Sequence, residues 1–289
     1  MDLCNINDIQ ALLKRHGFHF SKALGQNFLI ESWVPQDIAH ASGAGTDSGV
    51  LEIGPGIGPL TVELSKRAGK VAAVELDKAL LPILAETLAA CPNVTVIPGD
   101  VMKLDLPTLV GEQFPGLTPI VCANLPYNIT TPVLTLLLES GLFSSITVMI
   151  QKEVAQRICA EPGSKDYGAF SVLCQYYARC ELLFDVPKEC FLPAPKVTSA
   201  VVKLTTQSPP SCVHNKDFFF RVVRGAFSLR RKTLLNALAN TFPLNKDSLA
   251  QCISAAGLPA DIRGERLSIP QFAALADHIG AVLEQGGAP

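Results

Sequence analysis

LEIGPGIGPLT, residues Leu51 to Thr61, is the stretch from which the fold of this chain can be read. A short apolar run from Val50 to Ile53 has the length of a buried strand and stops at a turn carrying Gly54 and Gly56. Leu60 to Ala68 follows with helical periodicity. Strand, glycine turn and helix start in this order suit a cofactor, because glycine lets the backbone approach a ligand closely and a helix N-terminus offers free N–H groups. The dinucleotide fingerprint is not met: counted from Gly54, GxGxxG needs its third glycine where Pro59 stands. A different nucleoside cofactor is therefore expected, against Gly54 and Gly56.

The same alternation continues outward. Apolar runs at Val71 to Glu75, Val94 to Ile97, Ile120 to Ala123 and Ile146 to Ile150 are expected strands, with helices over Lys78 to Ala90 and Pro132 to Leu138. Strands alternating with helices mean a parallel, doubly wound α/β sheet. Ser208, Pro209, Pro210 and Ser211 then break the pattern, and only helical periodicity follows: Phe218 to Phe227, Lys232 to Asn240, Leu249 to Ala256 and a last helix from Pro270. The expected division is an α/β domain over residues 1–207 and a small all-helical domain over 208–289. Gly111 to Pro119 lengthens the approach to the fourth strand without an evident purpose.

Composition narrows the class further. At 289 residues, 48% hydrophobic and 17% charged, the chain has enough apolar mass for a large core and is neither disordered nor fibrous. No apolar run reaches the roughly 18 residues that a membrane span needs, and the acidic opening MDLCNINDIQ has no signal-peptide core. The nine cysteines are odd in number and form no CxxC pair, so neither zinc nor a disulfide framework is expected, and a reducing, cytoplasmic setting is. The net charge of −2 conceals a split: twelve Lys/Arg against nineteen Asp/Glu in residues 1–186, but twelve against seven in residues 187–289. Arg221, Arg224, Arg230, Arg231 and Lys232, together with Lys216, form a local basic cluster, either a solvated helix face or a surface for nucleic-acid phosphates.

The strand ends carry the chemistry. Glu75, 21 residues after Gly54, is spaced to accept hydrogen bonds from ribose hydroxyls, and Asp100 could accept from an adenine amine. Asn124-Leu125-Pro126-Tyr127 closes the fourth strand. Methylating an exocyclic amine is hard because the lone pair is delocalised into the ring. An Asn carbonyl and the backbone carbonyl beside Pro126 can accept the amine's protons, favouring a tetrahedral nitrogen aimed at a methyl donor, while Tyr127 stacks on the base.

With SKALGQNFL (Ser21 to Leu29), VELD (Val74 to Asp77), GD (Gly99, Asp100), NLPYNI (Asn124 to Ile129), FLPAPKVTSAVV (Phe191 to Val202), RVVRGAFSLRRKTLLNAL (Arg221 to Leu238) and RGERLS (Arg263 to Ser268), the chain resembles the KsgA/RsmA family of ribosomal RNA adenine dimethyltransferases. The resemblance implies a Rossmann-like, S-adenosylmethionine-dependent methyltransferase with a seven-stranded sheet and a C-terminal helical domain. It implies cofactor contacts at Asn27, Leu29, Gly54, Glu75, Asp100 and Asn124. Asn124 and Tyr127 would hold the target adenine, with Phe191 stacking on it. The implied substrate is a pair of adjacent adenines in the 3′-terminal hairpin of small-subunit (16S) rRNA, met on an immature small ribosomal subunit by a monomer that needs no metal. An Erm-type enzyme acting on large-subunit rRNA and a catalytically idle assembly factor are the alternatives; a nicotinamide oxidoreductase is disfavoured by Pro59 and by NLPY.

Overall fold

The computed structural model describes residues 1–21, 24–229 and 231–286, with side chains to 284. The expected RNA contact Arg230 lies outside the described residues. The chain divides into two compact units, one of residues 1–155 and 178–206, the other of residues 156–177 and 207–289.

In the first unit the elements run α1 (Ile6–Arg15), β1 (Phe28–Leu29), α2 (Trp33–Ala41), β2 (Ser48–Ile53), α3 (Pro59–Ser65), β3 (Lys70–Glu75), α4 (Leu81–Thr87), β4 (Val94–Pro98), α5 (Leu106–Gln113), β5 (Thr118–Asn124), α6 (Thr130–Ser140) and β6 (Ser145–Gln151). The helix α7 (Lys152–Ile158) leads out of this unit and α8 (Ala169–Tyr177) leads back to it. The unit closes with β7 (Ala178–Val186), β8 (Phe191–Leu192) and β9 (Ser199–Thr206). Seven strands form one sheet in the order β4-β3-β2-β5-β6-β9-β7, and β1 pairs with β8 in a separate ribbon. The five expected strands lie side by side and parallel, whereas β9 runs antiparallel to both β6 and β7. The sheet is therefore mostly parallel, not wholly so.

The order places β2 and β5 at the middle, so that the glycine turn after β2 and the Asn124 turn after β5 leave the sheet side by side. Every residue of β2 is buried, as expected of a central strand covered on both faces. Val50 faces a cluster that includes Val34 and Ile38 of α2 and Leu60 and Leu64 of α3, while α1 and α4 meet in another around Leu12, Ile83 and Leu84. The segment Gly111 to Pro119, without an evident purpose in sequence, has one here. Phe114 ends α5 and is buried over Gly49 of β2, where an added Cβ would lie 2.4 Å from its ring.

The second unit adds α9 (Lys216–Phe227), α10 (Leu234–Ala239), α11 (Lys246–Ala255) and α12 (Ile269–Gly286) to α8. Asn215 and Asn245 cap α9 and α11, each accepting from a backbone N–H three residues on. Phe219, Phe272, Leu234 and Leu249 form the core with Tyr167, Val172 and Tyr176. Residues 156–177, expected with the sheet, thus belong with the helices. Tyr176 packs against Phe219 and Phe220, and the Tyr167 hydroxyl donates to the Leu267 carbonyl at 3.0 Å. Burying three aromatic or branched side chains against a distant core outweighs their sequence position.

Candidate active site

One cavity collects the C-terminal ends of β2, β3 and β5, the turn after β4 and the segment leading into β1. Asn27, Leu29, Gly54, Gly56, Glu75, Asp100, Asn124 and Tyr127 all line it, although 100 residues separate Asn27 from Tyr127. Ligands of open α/β sheets sit in this crevice beyond the strand ends.

Gly54 and Gly56 have φ of +68° and +63°, the left-handed region that glycine enters without strain. A Cβ on Gly56 would come within 3.3 Å of the Phe28 ring, a tight contact added to the strain of a left-handed backbone. Glu75 ends β3 with 6% exposure and accepts from the Asp77 N–H at 2.7 Å. Burial pushes its carboxyl up from the ordinary value, against the pull of the Asp77, Gly56 and Leu76 N–H groups, with the Asp77 charge adding to the rise. Asp100 accepts from the Met102 N–H at 3.0 Å, capping a short 3₁₀ turn, and still lines the cavity. Its role as a cap and its place in the site coexist.

At the mouth, Asn124 ends β5 half-buried, and among the described residues its side-chain amide takes no hydrogen bond from the protein. The Pro126 carbonyl accepts from the Ile129 N–H at 3.2 Å and the Thr130 hydroxyl at 3.3 Å. The Leu125 carbonyl, on the other side of that proline's nitrogen, takes no such bond and is the acceptor left over. Tyr127 shares a 2.6 Å hydrogen bond with Ser199 of β9.

Phe191 is the exception among the expected site residues. It does not line the cavity; Leu29 pairs with it across the β1–β8 ribbon, and its ring is 3% exposed in a cluster with Val34, Ile38, Val186 and Val201. An aromatic ring with an apolar core in reach buries there in preference to an open mouth. The basic residues Arg221 and Arg224 project from the exposed side of α9, and Arg231 and Lys232 are exposed after it. Arg221 also stacks its guanidinium 4.8 Å over the Phe242 ring.

Three residues not singled out from the sequence complete the site. Gln26 donates to Asp77 at 2.7 Å and accepts from the Ser21 N–H, fastening the segment before β1 to the loop that follows Glu75. Ser199 anchors Tyr127 from 72 residues away, a partnership no local pattern announces. Glu52, an acid inside the apolar β2 run, was the visible signal: it lines the cavity at 1% exposure. Neither its Oε2 nor the nearby Thr61 hydroxyl has a hydrogen-bond partner. Burial pushes its carboxyl to about 8, a rise that the Glu75 charge reinforces.

The left-handed glycine turn, the buried acid with an unpaired oxygen, Glu75 at the end of β3 and the free Asn124 amide are groups that a nucleoside bearing a charged amino-acid tail could use. Sheet and site together define a Rossmann-like, S-adenosylmethionine-dependent methyltransferase. The profile described as ribosomal RNA adenine dimethylase matches residues 17–277, and the chain belongs to that family. It is an rRNA adenine dimethyltransferase. It is 48% identical over 281 residues to ribosomal RNA small subunit methyltransferase A of Shouchella clausii, covering 95% of each chain. Identity to the protein of that name from Geobacillus thermodenitrificans is 45% over 282 residues, covering 96% of each. Among solved structures, a dimethyladenosine transferase from Plasmodium falciparum superposes with a TM-score of 0.73 at 26% identity, over 89% of this chain and 98% of that one. The 23S rRNA methyltransferase ErmE, at 0.68 and 24% over 88% and 99%, shares the fold.

No helix among the described residues is long and apolar enough to cross a membrane.

Proposed function

We propose that the chain dimethylates the exocyclic amines of two adjacent adenines in the 3′-terminal hairpin of small-subunit (16S) rRNA, acting as a cytoplasmic monomer on immature small subunits. The observation that carries this reading is the pair of unengaged acceptors, the Asn124 side-chain carbonyl and the Leu125 carbonyl, at a cavity mouth beside Tyr127. The small-subunit target is supported by relatives named as small-subunit methyltransferases over nearly their whole length.

S-adenosylmethionine supplies an electrophilic methyl group when bound. Gly54 and Gly56 would admit it to the strand ends, Glu75 would accept from its ribose hydroxyls and Asp100 from its adenine amine. Asn27 and Leu29 cover it, held down through Gln26. Asn124 and Leu125 accept the two protons of the target amine, which turns its lone pair out of conjugation, and Tyr127 holds the base by stacking. Once alkylated, the positively charged nitrogen releases a proton to water, and after the amine rotates its remaining N–H is held by one of the two acceptors for a second transfer. Transfer of this kind depends on alignment more than on acid or base, so no metal is required. Arg221, Arg224, Arg230, Arg231 and Lys232 contact RNA phosphates.

Incubation with labelled S-adenosylmethionine and unmethylated immature small subunits, followed by nucleoside mass spectrometry, tests the reading. Dimethyladenosine mapping to the 3′ hairpin is the expected result. Label in large-subunit rRNA, or none with the cofactor bound, would overturn it.

A further inference from the structure

Tyr127 stands on a turn, and a turn alone holds an aromatic ring poorly. The ring is half-buried and free to rotate about its first side-chain bonds unless something grips its far end. That grip comes from another part of the sheet: the phenol oxygen lies 2.6 Å from Ser199 Oγ. Ser199 has no exposure and is the first residue of β9, the one reversed strand. Its backbone is fixed on both sides, by Gln151 of β6 and by Val186 of β7. The hydroxyl is therefore about as immobile as a side chain in this molecule can be. A serine with no exposure that spends its hydroxyl on a residue of the cavity mouth, not on its own backbone, is placed for that residue.

We infer that Ser199 is a positioning residue for methyl transfer: it tethers the Tyr127 phenol so that the ring forms a fixed stacking platform beside Asn124. The inference rests on the proposed role of Tyr127. A tethered ring defines where the base plane lies, and hence the angle at which the amine meets Asn124 and Leu125. The tether also occupies the phenol, which otherwise competes for the amine's own hydrogen bonds. Both effects matter most for the second transfer, where one proton remains to orient a bulkier nitrogen.

The test is a mutant cycle of Ser199→Ala, Tyr127→Phe and the double variant, with Tyr127→Ala as control, on immature small subunits. Loss of one such hydrogen bond is expected to lower kcat about tenfold, with the cofactor dissociation constant and the circular-dichroism spectrum unchanged. The ratio of monomethyl to dimethyladenosine should rise. Because the two residues act through one bond, Ser199→Ala should have no further effect in the Tyr127→Phe background. Full activity of Ser199→Ala beside an inactive Tyr127→Ala would overturn the tether and leave the site reading intact. Equal losses that multiply in the double variant would overturn it too, as the mark of unrelated damage. Full activity of Tyr127→Ala would remove Tyr127 from the site and the inference with it.

Discussion

In the proposed site, Asn124 lines the cavity with a side chain that the fold does not use. Its amide contributes no hydrogen bond to the fold, so Asn124→Ala should leave thermal stability unchanged while lowering methyl transfer by about 100-fold or more, the usual loss for a positioned polar group at the reacting centre. Turnover assays beside a melting curve check both halves. Glu75→Ala should weaken S-adenosylmethionine binding by about 1–3 kcal/mol, through loss of a buried acceptor, as titration calorimetry would read. At this scale much was legible: eight of the expected residues line one cavity, because strand-end residues after an identifiable turn have few other places to go. Phe191 was not. Whether an aromatic ring stacks on a ligand or joins the core depends on which apolar neighbours reach it, and Val34 and Ile38 come from α2, far from Phe191 along the chain.

Among the elements, four of the five parallel strands are readable because burial on both faces writes itself as short apolar runs, and the edge strand β4 because Val94, Thr95, Val96 and Ile97 are all β-branched. The edge strand β7 lacks such a signature: Arg179, Glu181 and Asp185 interrupt its apolar residues, and Leu182 and Leu183 are exposed. The packing of Phe114 on Gly49 yields a prediction about this architecture. Gly49→Ala puts a Cβ 2.4 Å from the ring, so the α5–β5 connection must shift or the strand must yield. A destabilisation of about 1–3 kcal/mol is expected, read by chemical denaturation. Gly49→Ala and Phe114→Ala combined should cost less than the sum of the two separate losses, because two of the three atoms that the new Cβ meets, Phe114 Cγ and Cδ1, are then gone.

For the molecule as a whole, the buried acid and the basic surface give measurable electrostatic behaviour. Glu52 is raised from 4.5 to about 8, so the folded protein holds a proton there that the unfolded chain releases. Its contribution to stability is fully present below about pH 4.5 and is lost as pH rises through about 8. Glu52→Gln should therefore flatten the fall in stability across that window, as denaturation midpoints at several pH values would register; Glu75 shifts in the same direction but is common to both proteins. On the other unit, Arg231→Glu with Lys232→Glu should weaken RNA binding and reduce its salt slope by about 1 for each phosphate no longer neutralised; an unchanged slope in filter binding would mark these as ordinary solvated residues. What the sequence determined by itself was chemistry with a local signature: the α/β class, the glycine turn, the acid at the next strand end, the Asn-Leu-Pro-Tyr turn and through them the methyltransferase class. Tertiary structure alone decided that residues 156–177 pack with the helices, that Phe191 is core, that Glu52 holds an unpaired oxygen in the cavity and that Ser199 grips Tyr127. The division has one physical cause. Turns and strand periodicity are set by neighbours along the chain, whereas burial and side-chain partnership are set by whichever distant segment packing brings alongside.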